Sequence, residues 1–257
     1  MKNTILSEKD FRLIEKTIAK YGRIVSVQKL MIIFEKEYSA SSAHNRIHLL
    51  AQLGWLRRLK QGLYLIIDSL TARSQIDVSY LLIANALMKD AYLSLAYALN
   101  YYQMFDQHSK TVVSITSKET KKYLFDGYTF KFSKVKKSMY FGFTEKLENG
   151  KKIHIAEAEK ALIDYLYLDN SFASASLVFE KLRDYHQEFD LNKLQTYAVK
   201  SGITIQRKIG FMLDQLKLDS SKVYLAVHAN RGISKFTRDS KLFNAKWRIY
   251  YDDRIIG

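Results

Sequence analysis

The first 67 residues follow a pattern that few folds accommodate: three segments of helical periodicity are followed by two β-type runs around a short turn. From Glu8 to Tyr21 apolar residues recur at spacings of three and four, and Gly22 ends the stretch. Ser26 supplies the N-cap of a second helix. The polar break at Ser39–Ser42 supplies that of a third, which Gly54 closes. The first-helix residues expected to face a core are Phe11, Ile14, Ile18 and Tyr21.

The two β-type runs, Trp55–Lys60 and Leu63–Ile67, flank the dipeptide Gln61-Gly62 and predict a hairpin with basic residues beside its turn. Three helices followed by such a hairpin indicate a winged helix-turn-helix over residues 1–70. In that fold the third helix enters the major groove, while the hairpin lies along the phosphate backbone or in the minor groove. The sequence therefore predicts an N-terminal DNA-binding domain.

The third predicted helix has one apolar and one polar face. Ala43, Ile47 and Leu50 share the first, whereas small polar side chains suited to base edges occupy the second. Arg46 lies at the margin, where it would reach a guanine or a phosphate. The residues predicted to contact DNA are Ser41, Ser42, His44, Asn45, Arg46, His48 and Gln52 of the helix, and Arg57, Arg58 and Lys60 of the hairpin.

The net charge agrees with a polyanionic partner. The chain has 41 Lys and Arg against 26 Asp and Glu, a formal charge of +15, and residues 1–70 contain twelve basic and six acidic side chains. Two other interpretations stay open. The lysines would also follow from a compositional bias of the source, and three helices with a hairpin also occur as protein-protein scaffolds.

Several classes of function require residues that this chain does not contain. The chain contains no cysteine, which excludes disulfides, Cys-ligated zinc, iron-sulfur clusters and thiol catalysis. Its one helical histidine pair, His44 and His48, lacks the glutamate of a zinc-protease motif, and no nucleotide-binding glycine motif is present. We predict no catalytic site, metal or cofactor. The absence of a signal-like start and of a long uncharged apolar run predicts a cytoplasmic protein with no membrane partner.

The polar stretch Ser69–Gln75 predicts a junction, and residues 76–257 are expected to form a mixed α+β domain. Their spacing predicts helices near residues 78–88, 93–102, 156–168, 175–185, 191–200 and 205–216. Strands are predicted near residues 110–117, 128–132, 139–144, 153–155, 223–227 and 247–251. The predicted fold class for the whole chain is α+β.

The order of several segments along almost the whole chain resembles the AbiEi antitoxins of abortive-infection, type IV toxin-antitoxin systems. The segments that carry this resemblance are AYLSLAYALNYY at 91–102, TVV and TSK at 111–118, MYFGF at 139–143, IAEAEKALID at 155–164, GFML at 210–213 and KWRIY at 246–250. One position departs from the family, because Ala158 stands where a proline usually precedes the Glu-Lys-Ala sequence.

The resemblance implies a repressor that binds inverted repeats of its own two-gene operon through the N-terminal domain. It also implies that the second domain, an antitoxin domain, counteracts a cognate nucleotidyltransferase toxin, and it does not imply a stable complex with that toxin. It assigns no toxin-neutralising residue. Under this interpretation the protein is not an enzyme, and its partners are double-stranded operator DNA and the toxin as a functional antagonist.

Two other functions stay open. One is a regulator of unrelated genes whose second domain senses a ligand or mediates dimerisation. The other is a metal-dependent nuclease, suggested by the Glu157, Glu159 and Lys160 cluster, although acidic residues are also favourable at the start of a helix.

A lysine-rich stretch suggests one more contact with nucleic acid. Residues 108–152 contain eleven lysines and four acidic residues. Aromatic residues interleave with them, at Tyr123, Phe125, Tyr128, Phe130 and Phe132. These rings would suit stacking on single-stranded RNA, but we favour the interpretation that they form the buried face of strands.

Overall fold

A computed structural model of the protein describes residues 6–68, 78–107 and 109–256. These residues divide into two compact units. The first comprises the described chain up to Lys89 together with Lys122–Phe130, and the second comprises Asp90–Lys121 and the chain from Lys131 onwards. The junction predicted at Ser69–Gln75 lies outside the described residues. The predicted boundaries of 70 and 76 differ from this division, in which residues 78–89 and 122–130 belong to the first unit.

The first unit contains the three predicted helices and the predicted hairpin. Its elements are α1 (Glu8–Tyr21), β1 (Ile24–Ser26), α2 (Val27–Phe34), α3 (Ala40–Gln52), β2 (Leu56–Lys60), β3 (Leu63–Ile66) and α4 (Tyr80–Leu87). The three strands form an antiparallel sheet in the order β1-β3-β2.

Local chemistry sets the ends of these helices. The side chains of Ser7, Ser26 and Ser39 each accept a backbone N–H at the start of α1, α2 and α3. Gly54 follows α3 with a φ of 83°, and the next N–H, of Trp55, reaches back to the carbonyl of Leu50 at 3.0 Å. The predicted capping residues therefore hold their expected positions.

The buried face of α1 only partly matches the predicted one. Ile14 is buried as expected, and Ile18 and Tyr21 pack half-buried against the same core, but Phe11 is 43% exposed. The other buried residues of α1 are Asp10, Leu13 and Thr17. Two adjacent stripes of a helix both satisfy a spacing of three and four, so periodicity alone did not distinguish them. The partners of Asp10 select the stripe that the sequence did not indicate.

Both faces of the three-stranded sheet are covered. The cross-strand pair Leu56 and Ile66 belongs to the core shared with α1, α2 and α3. Leu65 points to the other face and is fully buried as well. On that side α4 packs against β2, and Tyr80 of α4 stacks on Tyr128 with ring centroids 3.7 Å apart.

The remaining strands and helices form a mixed α+β structure, as predicted. In chain order they are β4 (Ala91–Leu93), α5 (Ala96–Tyr101), β5 (Thr111–Thr116), β6 (Lys121–Phe125), β7 (Tyr128–Lys134), β8 (Phe143–Glu148), β9 (Lys151–Ala156), α6 (Ala158–Leu168), α7 (Phe172–Tyr185), α8 (Leu191–Lys200), α9 (Ile203–Gln215), α10 (Ser221–Val227), β10 (Ser234–Lys235), β11 (Leu242–Asn244) and β12 (Ile249–Tyr251). Short 3-10 turns occupy Lys137–Met139 and Asp253–Ile255.

The strands of this part form two sheets. A six-stranded sheet has the order β6-β7-β5-β4-β9-β8, in which β4 pairs antiparallel with β5 and parallel with β9. A small sheet has the order β10-β12-β11. The helix α9 is buried along most of its length and contacts α6, α7, α8 and α10.

Three of the predicted elements are wrong or displaced. Residues 223–227 form part of α10 rather than a strand, because Val223 and Val227 lie four apart and are buried together. The helix predicted at 93–102 is preceded by β4, and the strand predicted at 139–144 begins only at Phe143. Short apolar runs do not distinguish a buried strand from a buried helix, so packing decided these cases.

The glycine of α9 is required by a close approach. A Cβ atom at Gly210 would lie 2.1 Å from the indole of Trp247, which is 1% exposed. The indole Nε1–H donates to Asp214 of the same helix at 2.7 Å. The GFML and KWRIY segments, which are far apart in sequence, therefore meet in one packing contact.

We expect Gly210→Ala to destabilise the protein by about 3 kcal/mol. The sign opposes helix propensity, by which alanine is favoured over glycine by about 1 kcal/mol. Urea unfolding followed by circular dichroism measures the difference. In a Trp247→Leu background, which removes the ring, the same change should cost little. Equal stability of Gly210→Ala and the unaltered protein would contradict the packing described here.

Candidate nucleic-acid interface

The two faces of α3 are arranged as the sequence predicts. Ala43, Ile47 and Leu50 are 0 to 3% exposed and belong to the core of the first unit. The predicted contact residues that are exposed on the opposite face are Ser41, Ser42, His44, Asn45, His48 and Gln52. A continuous polar surface therefore runs along α3.

Part of this surface is held by short-range hydrogen bonds. Ser39 donates its hydroxyl proton to Ser42 at 3.0 Å, and a ring nitrogen of His48 lies 3.0 Å from the amide nitrogen of Gln52. Within residues 6–68, 78–107 and 109–256, neither His44 nor Asn45 makes a side-chain hydrogen bond. Asn45 thus presents an amide that can donate and accept at once, the pattern that pairs with an adenine edge.

Arg46 has a different role from the predicted one. Its Nε lies 2.8 Å from both carboxylate oxygens of Asp10, and its terminal nitrogen makes a further contact with the same group. Asp10 has no exposed side-chain surface, whereas Arg46 is 32% exposed. The Nε and one terminal nitrogen of the guanidinium are therefore used inside the unit and are not free for a base or a phosphate.

The surroundings of Asp10 stabilise its charged form. Burial by itself would raise the pKa of Asp10, but hydrogen bonds from Arg46 and Ser7 outweigh burial and hold it below its ordinary value. Ser7 donates to this carboxylate at 2.6 Å, and Tyr38 donates at 3.3 Å. Asp10 therefore links the start of α1, the segment before α3 and α3 itself.

Of the three hairpin residues predicted to contact DNA, one is exposed and two have partners inside the unit. Arg58 is exposed and pairs with no carboxylate in the described part of the chain. Arg57 forms an ion pair with Asp126 at 3.0 Å and lies over the ring of Phe125, and Lys60 donates to the carbonyl of Leu87 at 2.6 Å. Of the DNA contacts predicted for the hairpin, that of Arg58 still has an exposed side chain without a carboxylate partner in the described residues.

No local signal in the sequence indicated these internal partners. Asp126 is 69 positions from Arg57, and an irregularity in the pairing of β2 with β3 between Arg58 and Lys60 changes which side chains point outward. Simple alternation along β2 therefore did not identify the exposed residue.

The Glu157, Glu159 and Lys160 cluster is engaged in structural contacts. Lys160 is fully buried, where it forms an ion pair with Asp164 and donates to the Tyr92 hydroxyl at 3.0 Å. Glu159 accepts the backbone N–H of Asp190 at 2.9 Å. The side chains of Lys160 and Glu159, on which the nuclease alternative depended, are therefore engaged in contacts within the protein.

Burial determines the protonation tendencies of this pair. Removal from water raises the pKa of the Asp164 carboxyl and lowers the pKa of Lys160, while their mutual attraction opposes both shifts. Ser94 donates to Asp164 at 2.8 Å and so satisfies the second carboxylate oxygen. This network ties α6 to β4.

The interleaved aromatic residues mostly follow the favoured interpretation. Phe125, Phe130 and Phe132 are at most 7% exposed, so they are not available for stacking on bases. Tyr128 is half-buried and is covered by Tyr80. Within the described chain, no group of three or more His, Asp or Glu residues is placed to hold a metal ion. No helix of these residues is long and apolar enough to cross a membrane.

Comparison with known proteins relates the chain to solved structures. No protein-family model and no curated protein matches the chain. Its fold is similar to that of the RV2827C protein from Mycobacterium tuberculosis, with a TM-score of 0.67 and 12% sequence identity. The match covers 96% of this chain and 92% of that protein. At this identity the similarity concerns the fold alone.

We expect Arg46→Ala to lower the free energy of unfolding by on the order of 3 kcal/mol at pH 7, because it leaves a buried carboxylate without its charged partner. The pKa of Asp10 is depressed in the folded state, so this contribution is present above the ordinary aspartate pKa of about 3.9. It is lost as the pH falls toward the folded-state pKa.

Urea titrations at neutral and acidic pH measure this dependence. The matched control is Arg12→Ala, since Arg12 is 63% exposed and its ion pair, with Glu8 one turn away, is also exposed. Its expected cost is below about 0.5 kcal/mol. Similar costs for both variants would show that the Asp10 pair does not stabilise the unit.

Proposed function

We propose that the protein binds double-stranded DNA through α3, as a winged helix-turn-helix transcriptional repressor. The observation that carries the proposal is the exposed polar face of α3 beside a hairpin with the unpaired cation Arg58. The order of three helices and a hairpin, with β1 completing the sheet, supports the assignment of α3 as the recognition helix.

The contacts divide into two kinds. Asn45, His44 and Ser41 provide hydrogen-bonding groups for base edges, which confer sequence preference. Arg58 provides a phosphate contact, which positions the helix without reading sequence. Arg46 and Arg57 support this surface from within the unit, and we assign them no direct contact with DNA.

The remaining part of the proposal is that the chain represses its own operon and antagonises a nucleotidyltransferase toxin. This part rests on the resemblance to AbiEi antitoxins and on no residue of the structure. Binding to inverted repeats belongs to the same inference. Neither part requires a stable complex with the toxin.

The first test is a gel shift of the full chain on the DNA upstream of its own gene, against a scrambled duplex and with excess competitor. Selective retardation is expected. Asn45→Ala should weaken operator binding by roughly tenfold, because a bidentate contact to a base contributes about 1–3 kcal/mol. Equal binding to both duplexes would reduce the interaction to non-specific attraction and contradict the recognition helix.

Salt dependence separates the hairpin from general charge. Arg58→Ala should reduce the slope of log affinity against log salt by about 0.9, the value for one phosphate contact. Lys16→Ala removes the same charge from the exposed side of α1 and should leave the slope unchanged. A similar change in both variants would show that the hairpin has no specific place on DNA.

Toxin antagonism is tested separately from repression. The chain is expressed from an unrelated promoter together with a nucleotidyltransferase toxin encoded beside its gene. Growth should be restored by the unaltered chain and equally by Asn45→Ala, because the second unit is proposed to act without DNA binding. Failure of the unaltered chain to restore growth would contradict the antitoxin role and leave the repressor role intact.

A further inference from the structure

The small sheet of the second unit has one buried and one exposed face. Ile249 is fully buried, and the ring of Tyr251 packs against Phe211 of α9 with centroids 4.6 Å apart. Because alternate side chains of a strand point to opposite faces, the side chain between them, Tyr250, points away from α9. Tyr250 is half-buried and lies on the central strand of the sheet.

Three side chains form a row across this outer face. Lys235 of β10 and Phe243 of β11 are the direct cross-strand neighbours of Tyr250. The Phe243 and Tyr250 ring centroids are 5.1 Å apart, and the Lys235 ammonium lies 5.4 Å from the centre of the Tyr250 ring. Phe243 is 46% exposed. Two rings and a cation thus share one accessible surface, which we call the aromatic row.

The charge around the aromatic row is positive. Between Arg231 and Arg254 the chain has seven Lys or Arg and three Asp residues. Lys235 and Arg238 are exposed, and neither pairs with a carboxylate within the described ranges. An anionic partner would therefore find cations that are not committed to internal ion pairs.

The three acidic residues lie elsewhere. Asp239, Asp252 and Asp253 line a depression of about 340 Å³, whose other lining residues are Lys241, Leu242, Tyr251 and Arg254. Leu242 and Tyr251 are cross-strand partners, and each is adjacent in its strand to Phe243 or Tyr250. Their side chains therefore point to the opposite face of the sheet. The negative charge thus accompanies the other face of the sheet.

We propose that the aromatic row binds single-stranded nucleic acid, with bases stacked on Phe243 and Tyr250 and a phosphate near Lys235. Exposed rings on a sheet, interleaved with cations, are the arrangement by which unpaired bases are bound without sequence preference. A duplex hides the faces of its bases, so the row has no comparable contact with operator DNA. This activity is independent of the proposed function of α3.

Fluorescence anisotropy with labelled twelve-nucleotide oligouridylate, oligothymidylate and a duplex of the same length tests the proposal on the full chain. Both single strands should bind with similar affinity, because stacking and phosphate contacts use groups that RNA and DNA share. Phe243→Ala should weaken single-strand binding at least about fivefold, and Phe243→Tyr, which keeps the ring, should restore it. Lys235→Ala should reduce the salt slope by about 0.7.

Two controls separate this site from the DNA-binding unit. Leu225→Ala removes an apolar side chain of α10 that is 71% exposed, and it should leave the affinity for oligouridylate unchanged. Asn45→Ala should also leave it unchanged, while Phe243→Ala should retain operator binding. These variants therefore distinguish a failure of single-strand binding at the aromatic row from a failure of operator binding through α3.

Ultraviolet cross-linking to oligouridylate gives a readout that does not depend on a variant. The expected cross-linked tryptic peptides are those that span Leu242–Lys246 and Ile249–Arg254. Cross-links confined to residues 6–68, or equal affinity of Phe243→Ala and the unaltered protein, would overturn the proposal. Absence of single-strand binding would overturn it too and would assign the exposed rings to a protein interface.

Discussion

A carboxylate that is wholly removed from water fixes the position of α3 in the first unit. Asp10 is reached by Arg46 from α3, by Ser7 at the cap of α1 and by Tyr38 from the segment before α3. A buried charge is tolerated only when its partners are correctly placed. Apolar contacts are not directional, so they would permit small rotations of α3 about its axis. The ion pair is directional, and it limits such rotations around the orientation that the apolar face of α3 sets.

The second unit also contains a buried ion pair whose partners must be correctly placed, and here both charged side chains are removed from water. Lys160 and Asp164 lie one turn apart on α6, and they form further hydrogen bonds with Tyr92 of β4 and with Ser94, the residue that follows β4. Gly142 permits this arrangement, since a Cβ atom there would lie 3.0 Å from the Lys160 side chain. A sequence motif that suggests catalysis is in this chain a means of joining a helix to a sheet.

A few of the cations in the described part of the chain are buried. On α9, Arg207 is 2% exposed and donates to Asn230 and Ser234. Its neighbour Lys208 is fully buried and donates to Asn170, and burial lowers the pKa of Lys208 to about 8. The formal net charge of +15 affects solubility and the long-range attraction of polyanions. The two proposed binding surfaces use cations that have no carboxylate partner among the described residues, such as Arg58 and Lys235.

The sequence by itself determined the α+β class, the N-caps of the second and third helices and the polar face of α3, because these depend on residues at most four positions apart. It also placed the hairpin, through Gly62 and the β-type runs beside it. Only the tertiary structure decided the roles of Arg46 and Arg57, the exposure of Phe11 and the existence of the aromatic row. Each of these depends on partners distant in sequence, such as Asp126 for Arg57. Local periodicity contains no information about which distant side chain will neutralise a charge or cover a ring.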